Sequence, residues 1–236
     1  SANKNKIIKL ATEKPIENTL TIRKVGEAYN TFYMPEYAGV DPETGEAMWY
    51  KGQEGDEKTK NVNEAGQRIV GSADPKFYGG FSTDFSYKGV TLNAVFNYSC
   101  GGKKLSPYYE SLITSRGTGI ASIDLLDRWT PENTDAKFPR PIYNDPTDTE
   151  TMYYNTFSAS QMDFSVQNAS FLRLSTLSLS YTFPKSVSEK MRIGNLRIYS
   201  TVSNVFCLTP YKGYDPETGD WYPPTRMFVF GLNVSL

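Results

Sequence analysis

Met227-Phe228-Val229-Phe230-Gly231-Leu232-Asn233-Val234-Ser235-Leu236 is the stretch that decides the fold class. Phe228, Phe230, Leu232, Val234 and Leu236 fall on one side of an extended backbone, and Gly231, Asn233 and Ser235 fall on the other. A period of two with one apolar and one small polar face is the signal of a half-buried strand. Soluble domains commonly end in a fraying polar tail, whereas the strands of outer-membrane β-barrels set an apolar face against lipid and a polar face against the lumen. The segment therefore predicts a half-buried strand of the kind common in outer-membrane barrels.

The same pattern recurs upstream. In Phe81-Ser82-Thr83-Asp84-Phe85-Ser86-Tyr87 the aromatics take odd positions, and after a tight turn at Tyr87-Lys88-Gly89 the series Val90, Leu92, Ala94, Phe96, Tyr98 alternates with Thr91, Asn93 and Asn97. Two strands of roughly ten residues match the ~9–11 needed to cross a bilayer at a tilt. A second hairpin runs from Phe171 to Phe206, with Leu177, Leu179, Tyr181 and Phe183 on one face and Pro184 to Lys190 in the turn. Leu172 and Leu174 are out of phase with Leu177, which predicts a bulge near Ser175–Thr176. The chain divides into less regular strands and loops over 1–76, a hairpin at 77–100, a long loop at 101–169, a hairpin at 171–206, a loop at 207–226 and the terminal strand 227–236. Within 1–76, Thr19–Val25, Thr31–Val40 and Ala47–Tyr50 read as strands, and within the long loop Ile120–Trp129 reads as a short helix. Short turns fall on one side and long segments on the other, as in barrels with short periplasmic turns and long extracellular loops.

Composition narrows the function. Of 236 residues, 25 are Lys or Arg and 26 Asp or Glu, a net charge of −1 that gives nucleic acid no basic surface. The absence of histidine removes His-dependent catalysis and most zinc sites. No nucleophile–base pair stands out, and Asp124, Asp127 and Arg128 read as surface ion pairs on a helix. The chain is read as non-enzymatic, without metal or cofactor. Aromatic content of 14% suits strands and interfacial girdles. Mean hydropathy is −0.49 and no long apolar run occurs, neither of which argues against a barrel, whose strands are apolar only at alternate positions. The segment Ser1–Lys6 is polar and does not resemble a signal peptide, consistent with a mature fragment or a cytoplasmic protein. Cys100 and Cys207 are placed at the loop-side ends of strands separated by one other, about 10 Å apart, beyond the ~7 Å reach of a disulfide.

The hexapeptides Asp41-Pro42-Glu43-Thr44-Gly45-Glu46 and Asp215-Pro216-Glu217-Thr218-Gly219-Asp220 are near copies with turn chemistry, Pro fixing φ and Gly accepting positive φ. They belong to an ordered set of words: Asn3-Lys4-Asn5-Lys6-Ile7, Val25-Gly26-Glu27, Tyr37-Ala38-Gly39-Val40-Asp41-Pro42, Pro75-Lys76-Phe77-Tyr78-Gly79-Gly80-Phe81, Asp127-Arg128-Trp129-Thr130-Pro131, Phe171-Leu172-Arg173-Leu174, Leu179-Ser180-Tyr181-Thr182-Phe183-Pro184, Asn204-Val205-Phe206, Tyr211-Lys212-Gly213-Tyr214-Asp215-Pro216 and Gly231-Leu232-Asn233. Together these resemble the C-terminal part of the SusC/RagA family of TonB-dependent outer-membrane transporters. The resemblance implies an all-β fold of antiparallel up-and-down strands, part of a transmembrane barrel of about 22 strands around a plug. It also implies uptake of oligosaccharides or peptides, energy passed through TonB, a SusD-like lipoprotein lid and a place in the bacterial outer membrane. On this reading the chain supplies about a third of the barrel, lacks plug and TonB box, and transports nothing alone. Three features depart from the family pattern: Lys51–Lys58 lacks the oxygen ligands of a calcium loop, the final residue is Leu236 rather than aromatic, and the two cysteines are additional.

Candidate residues fall into two groups. Asp84, Asn93, Asn97, Ser178, Ser180 and Asn233 form the polar strand face, read as lumen-facing; the plain alternative is the solvent face of a sheet. Tyr108, Tyr109, Tyr143, Tyr153, Tyr154 and Phe157 crowd the long loop with Trp129. They suit stacking on a sugar or contact with the lid, or else packing of the loop's own core. Trp129 is assigned to anchoring the helix Ile120–Arg128. Two rivals remain: a soluble extracellular carbohydrate-binding β-sandwich, and a porin-like channel independent of TonB.

Overall fold

The computed structural model describes residues 1–113, 120–140, 163–219 and 222–235. Short strands come first: β1 (Ile16–Glu17), β2 (Ile22–Arg23), β3 (Thr31–Pro35), β4 (Tyr37–Val40), β5 (Ala47–Tyr50), β6 (Lys58–Thr59) and β7 (Gln67–Ser72). Two long strands follow, β8 (Phe77–Tyr87) and β9 (Val90–Cys100), then β10 (Lys103–Leu105), helix α1 (Pro107–Ile113) and β11 (Val166–Asn168). The chain continues through β12 (Phe171–Thr182), helix α2 (Lys185–Lys190), β13 (Asn195–Leu208) and β14 (Met227–Ser235).

The long strands form one antiparallel sheet in the order β14-β13-β12-β9-β8. Backbone atoms of Ser1 and Asn3 bond to Tyr78 and Lys76 beside β8, so the first residues extend that edge. The edges formed by β8 and β14 do not meet, and the sheet is open.

The β8–β9 hairpin is closed by two residues, Lys88 and Gly89, both with positive φ (46° and 84°), a turn whose twist matches that of the strands. Gly89 is required for a second reason, because a Cβ there would lie 2.6 Å from the carbonyl oxygen of Thr182. The β12–β13 connection is not a plain turn: residues 185–190 wind into α2.

Cross-strand register gathers the side chains into two faces. The row Phe85–Leu92–Leu179–Ser200–Phe230 and the row Tyr87–Val90–Tyr181–Ile198–Leu232 show the apolar side. The expected phase change is present as a register shift between Leu174 and Thr176, which returns Leu172, Leu174, Leu177 and Leu179 to one face. On β13 the same irregularity places Asn204 at φ 52°, and Arg226 donates to the carbonyls of Asn204 and Val205 that leave the ladder there. Nothing in the described chain covers the apolar face: Phe85 is 64% exposed and Phe230 77%.

The buried core lies elsewhere. Ile22, Phe32, Met34, Trp49, Leu125, Phe138, Val166 and Tyr211 are buried, the first four in the segment that precedes β8 and the others in segments that join the long strands. Phe32 and Met34 of β3 pack with Val166 of β11, and Leu20, Val70 and Leu105 close around them. The small sheets β3-β7, β4-β5-β6 and β10-β11 make this loop layer a folded unit.

Several expectations need correction here. Ile120–Trp129 is not an α-helix; only Ile123–Leu126 form a 3-10 turn, capped by the Ser122 side chain. The Trp129 N–H instead donates to the Phe138 carbonyl and the Phe138 N–H to the Asp127 carbonyl, drawing the chain out of a helical path. Thr31–Val40 is split at Glu36 into β3 and β4, and Thr19–Val25 contributes only β2. The long loop 101–169 carries α1, β10 and β11 among its described residues.

Candidate functional site

The polar face of the sheet and the loop layer above it meet at the loop-side ends of the strands. Asp84, Asn93, Asn97, Ser178, Ser180 and Asn233 share that face, since Asp84 pairs with Asn93, Asn93 with Ser178, and Asn233 with Arg197. Asp84, Asn93, Asn97, Ser178 and Ser180 are tied by cross-strand hydrogen bonds. Asn93 Nδ2 donates to Asp84 Oδ1 at 2.8 Å, Asn97 Nδ2 to Ser175 Oγ at 2.7 Å and Arg197 Nη2 to Ser180 Oγ at 2.9 Å. Ser178 and Thr201 share a hydroxyl bond at 2.8 Å. Such pairs stabilise a sheet face in place of a hydrophobic core.

At the top of this face sits Arg173, a lone cation inside the apolar word Phe171-Leu172-Arg173-Leu174. Its side chain is 7% exposed, with Nη2 2.6 Å from Asp215 Oδ2 and Nε 2.8 Å from Glu217 Oε2. Burial alone would raise the Asp215 carboxyl, but Arg173 and the backbone N–H groups of Thr218 and Glu217 hold it below the usual carboxylate range. Sequence reasoning identified the Asp-Pro-Glu-Thr-Gly turn without finding its anchor. An isolated Arg in an apolar strand was the available signal.

Both copies of that turn are built alike. The Gly45 N–H donates to Asp41 O at 2.8 Å and the Gly219 N–H to Asp215 O at 2.7 Å. Each Asp takes a cation from elsewhere, Lys60 at Asp41 and Arg173 at Asp215. Lys60 holds the Asp41 carboxyl down to about 2. Each Pro carbonyl also receives a side-chain donor, from Trp129 Nε1 at Pro42 (3.0 Å) and Lys104 Nζ at Pro216 (3.1 Å). Trp129 thus anchors the first turn rather than a helix. Gly45 has φ 73°, and a Cβ there would come within 2.5 Å of the Trp129 ring. We expect Gly45→Ala to destabilise the loop layer by at least the ~1–2 kcal/mol cost of a left-handed non-glycine residue. The check is thermal unfolding followed by tryptophan emission, to which Trp49 and Trp129 of this layer contribute.

Tyr108 and Tyr109 lie on α1. Tyr109 is buried and donates to Asp124 Oδ2 at 2.6 Å, with Lys212 Nζ 5.0 Å from its ring centre. Tyr108 stacks on Tyr214 with ring centres 4.2 Å apart. Tyr143, Tyr153, Tyr154 and Phe157 lie outside the described residues. Cys100 and Cys207 are free thiols. Cys100 pairs with Phe77 on the apolar side and Cys207 with Arg173 on the polar side, so they point to opposite faces as well as being separated by β12.

Glu110, next to Tyr109, is 1% exposed, and burial pushes its carboxyl up to about 7 despite a hydrogen bond from Ser165. A carboxyl raised in the folded state contributes stability that is complete below its unfolded value near 4.5 and is lost as pH rises through about 7. We therefore expect Glu110→Gln to stabilise the loop layer at pH 8, by about 3 kcal/mol, and to change nothing at pH 4. Melting curves at the two pH values check this.

No family model matches the chain. TonB-dependent receptor P3 of Formosa agariphila is 28% identical over 99% of this chain and 26% of its own length. TonB-dependent receptor SusC of Bacteroides thetaiotaomicron is 26% identical over 89% of this chain and 20% of its own. A chain in the structure of the RagAB peptide importer in its open-open state superimposes with a TM-score of 0.76 at 33% identity, covering 98% of this chain and 25% of that one. The chain belongs to the SusC/RagA-type TonB-dependent receptors. It spans a fifth to a quarter of the length of these relatives. The antiparallel up-and-down sheet of this SusC/RagA-type chain corresponds to the barrel of that importer, seen here as an open sheet.

Proposed function

We propose that this chain forms part of the wall and the extracellular mouth of an outer-membrane importer for oligosaccharides or peptides. The observation that carries the reading is a single-layer sheet with one contiguous, uncovered apolar face and one hydrogen-bonded polar face. The apolar face meets lipid. The polar face, with Asp84, Asn93, Asn97, Ser178, Ser180 and Asn233, lines a hydrated lumen. From Val90 to Tyr98 the band measures about 27 Å along the strand, and Tyr87 and Tyr181 at one end and Tyr98 at the other stand where interfacial aromatics belong. The loop layer lies at the mouth, where a SusD-like lipoprotein lid docks, and energy arrives through TonB acting on parts of the receptor beyond this chain. The role of the segment is structural and non-catalytic. A carbohydrate-binding sandwich is not favoured, because no second sheet covers the apolar face among the described residues.

The test uses the full-length protein. Outer-membrane fractions of cells carrying or lacking the gene are compared for the protein, for a co-purifying lipoprotein, and for TonB-dependent uptake of labelled oligosaccharides and peptides. Loss of uptake in the deletion strain is expected. A protein recovered in the soluble fraction contradicts the proposal.

A further inference from the structure

The polar face carries a cavity of about 610 Å³ where it meets the loop layer, lined among others by Tyr78, Asn97, Ser99, Phe171, Lys104 and Glu217. Its size is that of a small-ligand site. Register explains its shape. Tyr78 of β8, Ser99 of β9 and Phe171 of β12 lie in one row across three neighbouring strands, so two aromatic side chains flank a single small hydroxyl residue. Strand spacing sets the two aromatic residues about 10 Å apart, leaving a slot between them. The next row is Gly80–Asn97–Arg173, in which the missing side chain at Gly80 leaves room for the Asn97 amide, whose oxygen would lie 2.8 Å from a Cβ there.

The roof is polar and held from behind. Lys104 reaches the Pro216 and Glu217 carbonyls, and Glu217 gives one carboxylate oxygen to Arg173 while its side chain stays 47% exposed. The ionic groups around the cavity thus have protein partners. What faces the slot is two aromatic residues, a hydroxyl, an amide and the open side of a carboxylate. Aromatic faces match the apolar faces of a sugar ring, and amide and carboxylate groups match paired hydroxyls.

We propose that this cavity is a subsite for one ring of an oligosaccharide, gripped between Tyr78 and Phe171 with Asn97, Ser99 and Glu217 on its hydroxyls. The proposal rests on the importer reading and names the substrate class of that lumen. Two aromatic side chains about 10 Å apart suit the two faces of a flat sugar ring, whereas a peptide side chain offers flat aromatic surface only occasionally.

The experiment uses the full-length receptor purified from outer membranes in detergent, with heat-modifiable migration as the check of barrel assembly. Wild type, Tyr78→Ala, Phe171→Ala and Ser99→Trp are probed on an array of short neutral and acidic oligosaccharides printed beside short peptides. Wild type is expected to bind oligosaccharides. Each alanine variant should bind about tenfold more weakly, the worth of one stacking contact, and Ser99→Trp, which fills the slot, should abolish binding. An assembled receptor that binds only peptides or nothing, or that binds oligosaccharides equally in all variants, overturns the subsite. Failure of the importer reading is recognised separately, by a protein that does not assemble as a heat-modifiable barrel.

Discussion

Arg173→Ala will release the Tyr211–Gly219 segment from the sheet and destabilise the mouth by about 3–5 kcal/mol, the cost of removing one partner from a buried ion pair. The size follows from the burial of both partners: the Arg173 side chain is 7% exposed and that of Asp215 5%. Without the guanidinium, Asp215 is left charged in a site that still requires it as the acceptor for the N–H groups of Glu217 and Thr218. Protonation would relieve the charge, so the defect should shrink as pH falls. Replacing both partners, Arg173→Met with Asp215→Asn, should recover much of the loss, because asparagine keeps the acceptor for the turn and removes the stranded charge. Limited proteolysis between residues 209 and 219 of the full-length receptor measures the release. Equal cleavage rates in wild type and Arg173→Ala would show that the pair is not holding the loop.

The second large effect separates the two faces of one strand. Leu179 and Ser178 are adjacent in β12 and point to opposite sides. Leu179→Arg places a charge in the apolar band, one row from its middle, where lipid exposure costs about 2–4 kcal/mol. Ser178→Arg places the same charge on the polar face beside Thr201, where water and neighbouring hydroxyls receive it. Denaturant titrations of the receptor folded into lipid vesicles should show a lower midpoint for Leu179→Arg alone. Equal midpoints would mean that the two faces meet the same solvent.

These predictions draw unequally on sequence and structure. The long strands were legible because a period of two sustained over nine to fourteen residues leaves little choice of element or face. Even the bulge at Ser175 was visible, as a phase error between Leu174 and Leu177. The loop layer was not legible, since strands of two to six residues carry too little periodicity and are stabilised by distant partners. Trp129 on Gly45, Tyr37 against Phe164 and Arg173 on Asp215 each join segments far apart in the chain. The Asp-Pro-Glu-Thr-Gly turns show the boundary within a single motif: the turn is local and was readable, whereas the Lys60 and Arg173 that hold the two aspartates are not local. The lumen candidates fell on one face because alternation alone places them. The row Tyr78–Ser99–Phe171 escaped notice because it exists only across strands.

The central claim is that the apolar face meets lipid and the polar face meets water, and nitroxide accessibility along β14 tests it most directly. With Cys100 and Cys207 replaced by serine in the full-length receptor, single spin labels are placed at Phe228, Val229, Phe230, Leu232, Asn233 and Val234, and the protein is reconstituted in bilayers. The expected result is a period of two: labels at 228, 230, 232 and 234 collide with oxygen dissolved in lipid, while those at 229 and 233 collide with a water-soluble nickel chelate. Labels at 228, 230 and 232 as accessible to the nickel chelate as those at 229 and 233 would contradict the account.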